Sequence, residues 1–142
     1  KEMKGEAEAA AKRERDENLS FDEVWCVVDV DDHKHLKEAV VTANDNGIKV
    51  AVSNPCFELW LVLHFRESPG AQHREKVQEM VGGFVSGYHK HLVFDDFSAG
   101  YGAAVKRAQQ IDEDCAAMGE PRRNPSTGVY RLTESIRTFR NA

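Results

Sequence analysis

The sequence predicts one α/β domain of 142 residues, with a small, mostly parallel β-sheet flanked by helices and a helical C-terminal part. Three observations predict it. Two β-branched apolar runs, 24–30 and 48–53, enclose an amphipathic segment, which makes a strand–helix–strand unit with a right-handed crossover. The segments that follow carry helical rather than alternating periodicity. The composition, 41% hydrophobic and 30% charged, supplies one core and argues against global disorder.

The elements follow in order. Residues 1–18 read as a charged helix, rich in Ala, Glu, Lys and Arg, with few apolar positions to anchor it. The sequence starts on Lys1 inside that stretch, so an N-terminally truncated domain is expected. VWCVVDV, 24–30, is apolar on both faces, as expected of a strand buried in a parallel sheet. Residues 33–46 form a helix on Leu36, Ala39, Val40 and Ala43, closed by Asn46-Gly47. IKVAVS, 48–53, is the second strand. Asn54-Pro55 then opens a helix over 56–65, with Asn as cap and Pro at the first helical position. That helix is apolar almost all round and should be buried. Residues 72–91 form an amphipathic helix interrupted at Gly82-Gly83, and Asp95 to Gly102 form a loop. A helix over 103–118 sets Ala104, Ala108, Ile111 and Cys115 on one face. Residues 120–128 form a loop, and a last helix runs from about Tyr130 to Arg140.

Composition excludes several classes. No apolar run reaches the roughly 18 residues of a membrane span, so a cytoplasmic protein with no membrane partner is expected. The three cysteines, Cys26, Cys56 and Cys115, are widely spaced without a CxxC pair, which argues against a disulfide framework or cysteine zinc site. Cys26 and Cys56 read as small core residues. The net charge of −5 disfavours a surface that coats nucleic acid broadly, though a carboxylate metal site is itself acidic. Positive charge gathers near the end, where Arg122, Arg123, Arg131, Arg137 and Arg140 face one acid, Glu134. Arg122 and Arg123 are the candidates for holding phosphate.

The strongest chemical feature is Asp29-Val30-Asp31-Asp32 at the end of the first strand. Strand residues at i and i+2 face one side, so Asp29 and Asp31 can point together into the crevice at the carboxyl end of the sheet. Paired carboxylates repel unless one is protonated or a cation lies between them. Mg²⁺ suits such oxygen ligands. Asp32 reads as a helix cap, and His33 directly follows the cluster. Glu58 is the single acid in an apolar helix and needs a partner. It either joins the acidic cluster or is satisfied at its own helix start. His64, on the same helix, reads more readily as a hydrogen-bonded core residue than as a ligand. Two His-Lys-His triplets, at 33–35 and 89–91, read as solvated faces, because i and i+2 diverge on a helix. No P-loop, GxGxxG or GxSxG motif is present.

VVDVDDH at 27–33, SNPCFELWLVLHF at 53–65 and NPSTGVYRL at 124–132 resemble the motifs of RloB-like proteins, over roughly residues 20–140. The resemblance implies a Toprim-like domain from a bacterial restriction-modification or abortive-infection locus. It implies a nuclease that cleaves phosphodiesters with Mg²⁺ or Mn²⁺, on a nucleic acid substrate and beside an ATPase encoded nearby. Asp29 and Asp31 match the family's DxD metal ligands and Glu58 its FELW acid, giving a catalytic set of Asp29, Asp31 and Glu58. Asn54 and His64 match polar positions whose roles the resemblance leaves open, and a homo-oligomer is compatible with it. It also implies an upstream Glu after an earlier strand, and no such strand precedes Phe21; Glu6 and Glu8 are poor substitutes. The alternatives are a non-catalytic module that docks on the ATPase, and a Toprim-type enzyme acting on another phosphate ester.

Overall fold

The computed structural model describes residues 5–9, 21–32, 34–89 and 91–140. Of the charged helix expected over 1–18, residues 5–9 are helical and exposed, and the rest lies outside the described residues. Strand β1 (Trp25–Asp29) runs parallel to β2 (Lys49–Asn54), with Trp25 opposite Lys49 and Asp29 opposite Ser53. Helix α1 (Leu36–Asp45) makes the crossover, starting three residues later than the sequence suggests. Gly47 takes the expected left-handed conformation, with φ of 73°.

The sheet is mixed rather than mostly parallel. A two-residue strand, β3 (Ser126–Thr127), pairs antiparallel with β2, and the order is β1-β2-β3. Two residues are too few to show a period, so this strand was hidden in the 120–128 loop. Side chains fix it instead. The Ser53 and Thr127 hydroxyls share a buried 2.8 Å hydrogen bond, and Asn54 Nδ2 donates to the Arg122 carbonyl at 2.8 Å. Asn124 exchanges two bonds with the backbone of Gln72. Asn54 thus stitches the loop at Arg122 to the sheet, and Asn124 ties the loop before β3 to the loop at Gln72.

β2, not β1, is the central strand. Trp25 and Val28 are half-buried, whereas Val27 is 46% exposed and Cys26 is exposed. Burial on both faces and a core role for Cys26 were therefore wrong expectations. An apolar run signals affinity for a sheet but not position within it, and β1 lies at an edge among the described strands.

Beyond β2 the Asn54–Pro55 peptide is cis, and Pro55 sits in the turn rather than at a first helical position. Helix α2 (Glu58–Val62) continues as turns through Phe65, shorter in strict helix than the expected 56–65. Its burial is as expected: Leu59, Val62 and Leu63 are 0% exposed, each contributing about 1.5–3 kcal/mol. Helix α3 (Arg74–Phe84) lays Val77 and Val81 on this core. Gly82 and Gly83 are helical, but the helix ends one residue later at Phe84 and does not resume over residues 85–89, where the sequence suggested helix up to 91.

Helix α4 (Tyr101–Ala117) buries Ala104, Ala108, Ile111 and Cys115, the expected face. Short 3₁₀ turns at Phe94–Asp96 and Ser98–Gly100 precede it. Gly100 is a forced choice, since a Cβ there would lie 2.0 Å from the His64 carbonyl oxygen. Arg107 staples α4 to the end of α2 by donating to the Leu63 carbonyl at 2.7 Å. Helix α5 (Val129–Arg140) closes the fold, with Val129 and Tyr130 buried. No described helix is long and apolar enough to cross a membrane.

Candidate functional site

The site begins at the carboxyl end of β1. Asp29 is the last strand residue, and its side chain is 17% exposed. Its Oδ1 accepts the Phe57 N–H at 2.8 Å, and its Oδ2 lies 3.7 Å from Arg74 Nη2. Phe57 is available because the turn after β2 carries the chain back across the end of β1. Arg74 is available because α3 starts beside that turn, where its carbonyl lies 4.0 Å from Cys56 Sγ.

Glu58 is 3% exposed, in the first turn of α2. It reaches the same corner through Cys56. Burial pushes the Cys56 thiol up to about 12, the Glu58 charge and hydrogen bond add to that, and the Asp29 charge adds further. Burial also raises the Tyr88 hydroxyl, with Glu58 and then Cys56 contributing. Asp29, Glu58, Cys56, Tyr88 and Arg74 therefore gather at one corner, drawn from β1, the turn after β2, α2, α3 and the segment after it.

Asp31 is placed differently from the sequence expectation. The chain leaves extended geometry at Val30 and enters a 3₁₀ turn, Val30–Asp32, so strand alternation does not carry Asp31 to the side of Asp29. Asp31 is exposed. The Asp32 side chain and His33 lie outside the described residues. Among the described residues no three His, Cys, Asp or Glu side chains group closely enough to hold a metal ion.

The remaining candidates scatter. His64 is 9% exposed, bonds through Nδ1 to the Trp60 carbonyl at 2.8 Å, and packs edge-on against Trp60 and Phe97. Burial lowers its pKa, and Arg107 lowers it further. It is a core residue on the α4 side. Asn54 is a loop clamp, as above. Arg123 pairs with Glu120 at 3.1 Å. Arg122 holds a left-handed backbone, φ 64°, and makes no ion pair among the described residues. His35 pairs with Glu38 on an exposed face, and His89 and His91 are exposed.

Sequence reasoning missed Arg74, Tyr88 and the site position of Cys56. Arg74 is 45 residues from Asp29, in an ordinary amphipathic helix, and no local pattern marks it. Cys56 is a core residue, as its apolar neighbours suggested, and its place two residues before a buried acid was the readable sign that it also borders the site.

Comparison with curated proteins gives no match, and comparison with solved structures gives none. The family model described as "RloB-like protein" matches residues 2–136. That span contains β1, the acid corner and both Asn-Pro motifs, so the chain belongs to the RloB-like family.

Proposed function

We propose that this chain carries the carboxylate site of a metal-dependent nuclease, on a Toprim-like domain, acting in bacterial phage defence beside a partner ATPase. The observation that supports this reading is the gathering of acids around Arg74 and Cys56: Arg74 Nη2 lies 3.7 Å from Asp29, the Arg74 carbonyl lies 4.0 Å from Cys56 Sγ, and the buried Glu58 follows Cys56 by two residues. Placing a buried and a partly buried acid near each other costs free energy that hydrogen bonds and cations must offset, and such arrangements concentrate at functional sites.

The donors fit Mg²⁺ or Mn²⁺ better than zinc. They are carboxylate oxygens, and Mg²⁺ is commonly held by one or two carboxylates with water completing its shell. Cys56, held protonated, offers neither a thiolate ligand nor a thiolate nucleophile. Asp29 and Glu58 would hold the ion, and Asp31, on its exposed turn, would reach it by a small shift of that turn. When bound, the ion supplies charge stabilisation at the scissile phosphate and a more acidic water. Arg74 would exchange Asp29 for a phosphate oxygen, for which its guanidinium is well shaped. The Phe57 N–H keeps Asp29 oriented throughout.

A second reading, a non-catalytic module docking on an ATPase, draws on the exposed apolar loop of Leu92, Val93 and Phe94, the last 76% exposed. Cleavage of nucleic acid by the full-length protein with Mg²⁺ or Mn²⁺, compared with its Asp29→Asn variant, tests the first reading. Equal cleavage by both would remove the acid corner from the chemistry.

A further inference from the structure

The acid corner leaves the opposite side of the sheet unused. Along β2, Val50 and Val52 alternate with Ala51 and Ser53, and Ser53 is the register partner of Asp29. Val50 and Val52 line a cavity of about 650 Å³ between α1, the sheet, α4 and α5. Pockets for small ligands typically span roughly 300–1,000 Å³.

Three features give this cavity a chemistry. First, Lys49, Arg122 and Arg131 line it against one acid, Asp112, in a chain whose net charge is −5. Lys49 is paired with Glu23 and Arg131 with Asp112, both at 2.8 Å, so Arg122 is the cation with no acidic partner among the described residues. The Arg122 backbone is left-handed and is held there by the Asn54 bond to its carbonyl. A non-glycine residue keeps that conformation only when its surroundings over-determine it. Second, Ser126 is 1% exposed, lines the cavity, and its Oγ has no hydrogen-bond partner among the described residues. Buried hydroxyls are almost always satisfied, so an unsatisfied one beside a cationic cavity points to a ligand acceptor. Third, Trp25 forms part of the wall, with Val40 and Pro121 adding apolar surface.

The geometry points to a second binding site, for a small phosphate monoester carrying a planar ring, of nucleoside monophosphate size. Its phosphoryl oxygens meet Arg122 and the Ser126 hydroxyl, and its ring lies against Trp25 and the apolar wall. The cavity is walled by helices on several sides, which suits one nucleotide better than a continuous strand. The site goes beyond the proposed nuclease centre and does not depend on it.

Calorimetric titration of the protein without added divalent metal tests this, using adenosine monophosphate, guanosine monophosphate, adenosine, inorganic phosphate and a single-stranded oligonucleotide. A saturable response to a monophosphate is expected, with adenosine and phosphate each much weaker. Arg122→Gly removes the guanidinium and relieves the left-handed backbone together. It should weaken binding about tenfold or more, the loss of a charge-assisted contact, while the melting temperature holds or rises. Ser126→Ala should weaken binding by a smaller factor, and Asp29→Asn should leave it unchanged. No saturable binding, wild-type affinity in Arg122→Gly, or phosphate or adenosine binding as tightly as the monophosphate would overturn the assignment. So would loss of binding in Asp29→Asn, which would put the ligand in the acid corner. Arg122-dependent binding of the oligonucleotide in preference to the monophosphate would replace the small ligand by a nucleic acid strand.

Discussion

Asp29 has two jobs that a pair of substitutions can separate. Structurally, its Oδ1 accepts the Phe57 N–H at 2.8 Å in a partly buried setting. Losing a hydrogen bond to a charged group costs about 1.5–3 kcal/mol. The Arg74 guanidinium, 3.7 Å from Oδ2, adds to that cost. Asp29→Ala should therefore destabilise by roughly 2 kcal/mol, a fall in Tm on the order of 5–10 °C for a chain of this size. Removing a carboxylate from an acidic corner would by itself favour the fold; the opposite sign is expected here because the carboxylate is also the acceptor for Phe57. Asp29→Asn keeps an oxygen for that N–H and should stay within about 1 kcal/mol of wild type. If the acid corner is a nuclease centre, both variants should lose Mg²⁺-dependent cleavage by about 100-fold or more. Urea or thermal unfolding gives the first quantity and cleavage by the full-length protein the second. Equal destabilisation by Ala and Asn would refute the capping role of Oδ1, and full cleavage by Asn would refute the catalytic role of the charge.

Three further predictions test the frame. Gly100→Ala should cost roughly 3 kcal/mol or prevent folding, because its Cβ would meet the His64 carbonyl at 2.0 Å. Gly102→Ala, with nothing within 4 Å, should stabilise by about 0.5–1 kcal/mol; equal melting temperatures for the two would refute the close approach. Hydrogen bonds from Lys49, Ser135 and Trp25 hold the Glu23 carboxyl down at about 2, below its ordinary 4.5. Its contribution should be complete above pH 4.5 and vanish as pH falls toward 2, and Glu23→Gln should flatten stability across that window. Burial holds His64 below its ordinary 6.5, so the unfolded chain binds the extra proton first and stability should decline as pH falls below 6.5. His64→Leu should remove that slope whatever its absolute stability, and an unchanged slope would place the titrating group elsewhere.

Legibility in the sequence followed the range of the interactions involved. The α4 face was readable because Ala104, Ala108, Ile111 and Cys115 repeat within one helix and bury against one surface. The parallel pair around α1 was readable because a crossover of that length leaves few topologies. β3 was not, since its two residues are fixed by Ser53, 74 positions earlier, and by the clamp between Asn54 and Arg122. The site divides the same way. Asp29 stood out because an acid at the end of an apolar strand is locally anomalous, and Glu58 because it interrupts a buried helix. The expectation for Asp31 carried the strand period two residues past the strand's end at Asp29, into a 3₁₀ turn. Arg74 looked like any exposed helix residue, and only the tertiary turn after β2 brings it to Asp29. The Asn-Pro motifs carry the lesson furthest. Their conspicuous asparagines resemble site residues, yet each side chain donates to a distant backbone carbonyl: Asn54 holds the Arg122 loop against the sheet, and Asn124 ties two loops together. A motif can therefore mark a family through the scaffold of its site.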